Sequence, residues 1–297
     1  MLRYQGKYEA AEEMNRRALE WSEKALGEEH PDTLTCFNNL ASVFRHQGRY
    51  EIAEEINRRA LEGREKILGK EHPETLVSVT ELALILRHQG KYEEAEEVNR
   101  RALEGREKML GEEHPDTLTS LNRLAAVLRN QGRYEEAEEI NRRALKGREK
   151  MLGNEHPDTL ISVSSPASVL RLQGRYEEAE EVNRRALEGK ERVLGKEHSS
   201  TLTSVSNLAL VLQHQGKYKE AEEMNRRALE ARKRVLGSEH PDTLISVDNL
   251  ASVLQDQGKY DEAEDMNRHL MLWAADAVVF WIAHAIEKAE GILNQFR

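Results

Sequence analysis

The residues able to do chemistry in this chain come in columns, one member every 42 positions. Histidine recurs at His30, His72, His114, His156, His198 and His240, followed by proline at every place except His198-Ser199. A zinc site would need a second ligand three or four residues away, and none accompanies these histidines. They are expected to cap turns. Cys36 is the sole cysteine, so no intramolecular disulfide can form, and it pairs with no nucleophile signature. No glycine loop is built to cradle phosphate. Of 18 glycines, seven follow glutamine, six follow leucine, four share the column of Gly63, and one is Gly291. Neither cofactor, nor metal, nor covalent catalysis is expected; the chain does not read as an enzyme. The chemistry left is anion recognition. Arg45, Arg87, Arg129 and Arg171 fill one column, with Gln213 and Gln255 completing it. The planar guanidinium fork bonds a carboxylate through two parallel hydrogen bonds. Solvated arginines pairing with local acids would look the same in sequence.

Those arginines stand in an acidic protein, net charge −10 over 297 residues. Such a balance argues against nucleic acid as partner. The N-terminus lacks the apolar run of a signal peptide, and one cysteine suits a reducing compartment, so a cytoplasmic location is expected.

The punctuation defines the elements. Gln-Gly recurs from Gln5-Gly6 and Gln47-Gly48 through Gln257-Gly258 in step with the histidines. A fixed period of this length means one supersecondary unit, stacked. Each unit reads as two helices. The first begins at His-Pro, where proline's missing N–H costs nothing. Asp32 and Glu74 suit the positive end of the helix dipole. An apolar stripe follows at Leu34, Phe37, Leu40, Ala41 and Phe44, and Gly48 ends the helix. The second helix carries Tyr50, Ala53, Ile56, Ala60, Leu61 and Leu68 on one face. Its other face holds Glu54–Arg58, Glu55–Arg59 and Glu62–Lys66 pairs at i, i+4. No stretch alternates with period two, so the fold class is all-α. Trp21 and Ala231 in the column of Gly63 imply that this slot is not crowded.

The framework columns barely change between repeats, but several columns of the first helix do. One reads Asn38, Thr80, Asn122, Ser164, Ser206, Asp248; the next reads Asn39, Glu81, Arg123, Ser165, Asn207, Asn249. Others run from Ser42 through Leu84, from Thr35 through Val77, and through His46, His88, Asn130, Leu172, His214 and Asp256. At about 100° per residue, Thr35, Asn38, Ser42 and His46 share one side of the helix. The exposed face of the second helix stays nearly constant, which favours a recognition surface over neutral drift.

The pattern Asn39-Leu40-Ala41, Phe44, Gln47-Gly48-Arg49-Tyr50, Ala53, Ala60-Leu61 resembles the tetratricopeptide repeat. The linker Leu68-Gly69-Lys70-Glu71-His72-Pro73-Glu74-Thr75-Leu76 is similar to the 42-residue variety of kinesin light chains, and to the sensor arrays of fungal NLR-like (STAND) receptors. The resemblance covers residues 1–272. It implies a right-handed superhelical solenoid whose first helices line a concave groove that binds a peptide or protein, acidic in the kinesin light chain case. The candidate binding residues are the variable ones placed on that side: Thr35, Asn38, Asn39, Ser42, Arg45, His46, Thr80, Glu81, Leu84, Arg87, His88, Asn122, Arg123, Arg129, Asn130, Arg171, Asn207, His214 and Asn249. The alternative is a self-associating structural scaffold.

Three departures stand out. Asn15, Asn57, Asn99, Asn141, Asn183, Asn225 and Asn267 replace the aromatic residue common in the second helix, either as a structural amide ladder or as amides offered to a ligand. Pro166 sits in a leucine column and is expected to kink its helix. The chain opens partway through a repeat, as a fragment or truncated form would. Beyond Arg268 the repeat text stops. Residues 273–297 are expected to form an amphipathic helix that caps the array, contacts a second copy in a homo-oligomer, or touches membrane; Asp276 and His284 interrupt its apolar stretch.

Overall fold

A computed structural model describes residues 2–268, with side chains from residue 8. All regular structure in the described residues is helical. The helices are α1 (Leu2–Leu26), α2 (Pro31–His46), α3 (Tyr50–Leu68), α4 (Pro73–His88), α5 (Tyr92–Leu110), α6 (Pro115–Asn130), α7 (Tyr134–Leu152), α8 (Pro157–Leu172), α9 (Tyr176–Leu194), α10 (Ser199–His214), α11 (Tyr218–Leu236) and α12 (Pro241–Asp256). A further helical segment, α13, covers 260–268. The expected terminal helix at 273–297 lies outside the described residues.

The chain divides into two compact units, the first spanning Arg3–Arg175 and the second beginning at Tyr176. In the first, each helix from α2 to α8 packs on the next, and first helices also touch at α2–α4 and α6–α8. In the second, α9 to α12 repeat the pattern, with α10 touching α12. Both units are stacks of hairpins with apolar clusters between their helices. In the first, Leu40, Phe44, Ala53 and Ile85 form one such cluster, and Leu121, Leu124, Leu128 and Ala144 belong to another. The alanine columns of the second helices are wholly buried: Ala53, Ala60, Ala95, Ala137 and Ala144 are at most 1% exposed.

Each linker histidine is a helix N-cap. His30, His72, His114 and His156 sit in extended backbone, and each Nδ1 accepts the N–H two residues on at 3.2 Å. His198 and His240 do the same in the second unit. An imidazole nitrogen thus does what a serine or aspartate oxygen usually does at this position.

The Gln-Gly turn joins repeats as well as reversing the chain. Gly48 and Gly90 adopt φ of 77° and 79°, open to glycine and strained for other residues. The glutamine before the glycine and the cation after it both reach one glutamate of the preceding repeat. Gln47 and Arg49 bond Glu12 at 2.9 and 3.2 Å; Gln131 and Arg133 bond Glu96 at 3.0 and 2.6 Å. Lys91 and Arg175 reach Glu54 and Glu138 in the same way.

This ladder makes the fold acid-sensitive. In the second unit Lys259, Gln257 and Arg226 hold the Glu222 carboxyl down at about 2. Burial opposes ionisation of Glu180, but Lys217 and Arg184 outweigh it, again leaving about 2. Glu12, Glu54 and Glu96 are lowered as well, with burial the largest opposing influence. A carboxyl depressed in the folded state contributes stability above its unfolded value and loses it as pH falls toward the folded one. Melting temperature is therefore expected to drop between pH of about 4.5 and about 2. Lys259→Met should flatten that slope; an unchanged slope would remove the ladder as its source.

One expectation from sequence is corrected by packing. The column of Gly63 is crowded. A Cβ there would lie 2.6 Å from Leu34 Cδ2, and one at Gly147 2.5 Å from Leu118 Cδ2. Trp21, in the same column, is 67% exposed. Ala231 fits as a methyl beside the fully buried Leu202 column. Pro166 lies inside α8, which spans 16 residues like the other first helices. The buried Ala167, Val169 and Leu170 around it supply the tertiary packing that keeps it helical.

Candidate peptide-binding face

The interior of the stack claims part of the variable column first. Every second helix from α3 carries a cation one residue after the Gly63 column: Arg64, Arg106, Arg148, Lys190 and Arg232. Arg64 is 2% exposed and donates to Glu74 O at 2.8 Å, Ser78 Oγ at 2.9 Å and Thr35 Oγ1 at 2.9 Å. Ser78 also accepts from Asn38 Nδ2 at 2.7 Å, and Asn38 Oδ1 accepts from Asn57 at 3.0 Å. A polar thread thus crosses the apolar core between repeats. Arg106 bonds Ser120, Arg148 bonds Ser162 and Thr119, and Arg232 bonds Ser246 and Asp242 O. Lys190 donates to Ser204 at 2.8 Å, with burial lowering its ammonium to about 8. The guanidiniums stay charged, since arginine does not deprotonate in proteins.

The thread decides which candidates face outward. Asn38 (8% exposed) and Thr80 (3%) are withdrawn into the stack, where Thr80 donates to Leu76 O at 2.6 Å. They are interior ties, not surface. The asparagine column is interior too: Asn57, Asn99, Asn141, Asn183 and Asn225 are buried, and Asn99 donates to Ala95 O at 2.8 Å. Among the described residues, Asn225 alone of these amides reaches the next repeat, donating to Asn249 O at 3.3 Å.

The other candidates lie at the surface or half-buried. On α2, Thr35, Asn39 and His46 are exposed and Ser42 and Arg45 half-buried. On α4, Glu81, Leu84 and Arg87 are half-buried and His88 exposed. On α6, Asn122, Arg123 and Arg129 are half-buried and Asn130 exposed; Arg171 is half-buried on α8. In the second unit Asn207 and Asn249 are half-buried and His214 is exposed. Histidines of this face stack on the tyrosine two residues after the preceding repeat's Gln-Gly pair. Centroids are 5.8 Å apart for Tyr8–His46, and 5.4 Å for Tyr50–His88 and Tyr176–His214. Burial, then the charges of Arg87 and Arg45, pull the His88 imidazole below its usual value.

Arg45, Arg87, Arg123 and Arg129 form a cationic cluster in the first unit. Each of the last three is lowered mainly by burial. Arg87 also feels Arg129 and Arg45; Arg123 feels Arg106, Arg45 and Arg87; Arg129 feels Arg171. Arg45 Nε donates to Glu81 Oε1 at 2.7 Å, both side chains about 15% exposed (15% and 16%). Arg129 Nη1 donates to Ser168 Oγ at 3.2 Å. The guanidiniums of Arg87 and Arg123 have no hydrogen bond or ion pair among the described residues. Half-desolvated guanidiniums with no anion bonded to them, set beside like charges, are a poor arrangement for the free protein. A carboxylate would relieve it.

The tetratricopeptide repeat model matches residues 1–66, 37–108, 74–150, 116–192, 164–233 and 200–271. The chain belongs to the tetratricopeptide repeat family. No curated protein sequence matches it. Among solved structures, it is similar to the nearly identical TPR-like repeats of a Podosopora anserina protein described as a kinesin light chain, at 29% identity and TM-score 0.60, covering 69% of this chain and 97% of that one. A Rap protein complexed with Competence and Sporulation Factor has the same fold at 17% identity and TM-score 0.64, covering 92% and 72%. So does a STAND protein with a tetratricopeptide repeat sensor from Pyrococcus horikoshii, at 16% identity and TM-score 0.63, covering 88% and 39%. The family fits the columns: hairpin-forming slots repeat, and the first-helix slots vary.

Proposed function

We propose that this tetratricopeptide array is a recognition module that binds an acidic, extended protein segment on the first-helix face of its first unit. The single observation carrying the proposal is the pair Arg87 and Arg123, cationic, half-buried and unpartnered. Repeat arrays of this fold include one solved in complex with Competence and Sporulation Factor and one described as a sensor, so ligand sensing within a larger receptor is the role this reading favours. Binding, not covalent chemistry, is the activity. No helix among the described residues is long and apolar enough to cross a membrane.

The test is fluorescence anisotropy with an amidated, labelled hexaglutamate peptide. The double variant R87E/R129E is expected to weaken binding by about a hundredfold or more. R58E/R100E reverses two arginines that already pair on the outer face, with Glu54 and Glu96, and should change binding little. Equal loss from both variants would mean that only net charge matters. Affinity should also fall with added salt, because the site remains partly solvated.

A further inference from the structure

Equivalent slots of successive repeats make the arginine face its own control. Arg45 and Glu81 are 36 residues apart and form an ion pair at 2.7 Å. Arg87 and Arg123 occupy the same two slots one repeat later, 36 residues apart, on α4 and α6. Where the first pair joins a guanidinium to a carboxylate, the second sets guanidinium against guanidinium. Arg123 feels the charge of Arg87, and Glu81 offsets part of it.

We infer that Glu81 is a tethered stand-in for a ligand carboxylate, and that the ligand's own carboxylate docks one repeat further on, between Arg87 and Arg123. This rests on the binding role proposed above and adds its specificity. Glu81 closes the site at Arg45, so an acidic segment entering the face has its first open clamp at Arg87. Two guanidinium planes converging on one carboxylate can satisfy up to four of its acceptor positions. The shared chemistry is a carboxylate; an aspartate or glutamate side chain and a chain terminus are its two sources.

Two variants test it in opposite directions. R123E copies the Arg45–Glu81 pair into the next repeat. It should give Arg87 an internal partner, weaken hexaglutamate binding by about a hundredfold, and leave the melting temperature unchanged or higher. E81Q keeps an oxygen for Arg45 but removes the competing charge, and should tighten binding by about tenfold. A neutral peptide with a free C-terminal carboxylate, run beside the amidated hexaglutamate, identifies the source of the carboxylate. If the wild type binds and R87E/R129E abolishes binding, yet E81Q gives no gain or R123E no loss, this inference falls and the binding role stands. If the wild type does not bind either peptide, both fall.

Discussion

Replacing Arg64 by alanine is expected to cost the first unit about 3 kcal/mol, read as a shift in the chemical denaturation midpoint. Arg64 is 2% exposed, and its guanidinium supplies hydrogen bonds to Glu74 O, Ser78 Oγ and Thr35 Oγ1. Alanine would leave the Glu74 carbonyl, held in a part-buried bond, without this donor and open a cavity where the long stem lay. Serine and threonine hydroxyls can rotate to other partners, so the loss stays below the sum of three orphaned groups. Arg64→Lys should lose less, about 1 kcal/mol, because Lys190 shows that an ammonium in this column still reaches its serine. An alanine variant that unfolds at the wild-type midpoint would mean the thread sets register without adding stability.

Gly147→Trp is expected to destabilise the same unit by more than about 3 kcal/mol, while Gly147→Ala should be close to neutral. The helical glycine costs about 1 kcal/mol relative to alanine. Against that gain, the new Cβ would lie 2.5 Å from Leu118 Cδ2, in a leucine 2% exposed. Leu118 Cδ2 is the far end of a flexible side chain, and a rotamer adjustment can move it out of the way. An indole needs the first helix itself to move, and α6 is held on both sides by α5 and α7. Thermal melts of the two variants separate these cases. A tryptophan variant as stable as the alanine one would show that this close contact between hairpin helices relaxes at little cost.

The sequence alone determined the hairpins. A 42-residue step, His-Pro at one turn and Gln-Gly at the other need only local chemistry: a cap, a residue fixed at helical φ, and a glycine free to take positive φ. Such signals act within a few residues of chain and can be read without coordinates. Of the binding face, the arginine column and the variable slots were legible for the same reason, since helical spacing puts them on one side. Only the tertiary structure decided what that side does with them. Asn38 and Asn39 are neighbours in sequence and equally polar, yet one is buried between repeats and the other exposed, because a helix turns about 100° per residue and the next hairpin covers one of the two. The crowding at Gly147 and the cation thread through Arg64 are contacts between residues 29 and 14 positions apart, made across helices. The pairing of Arg45 with Glu81, and the absence of such a partner for Arg87, depends on the distance between side chains of successive repeats. The columns name the residues; stacking the hairpins brings one arginine to a carboxylate and the next to another arginine.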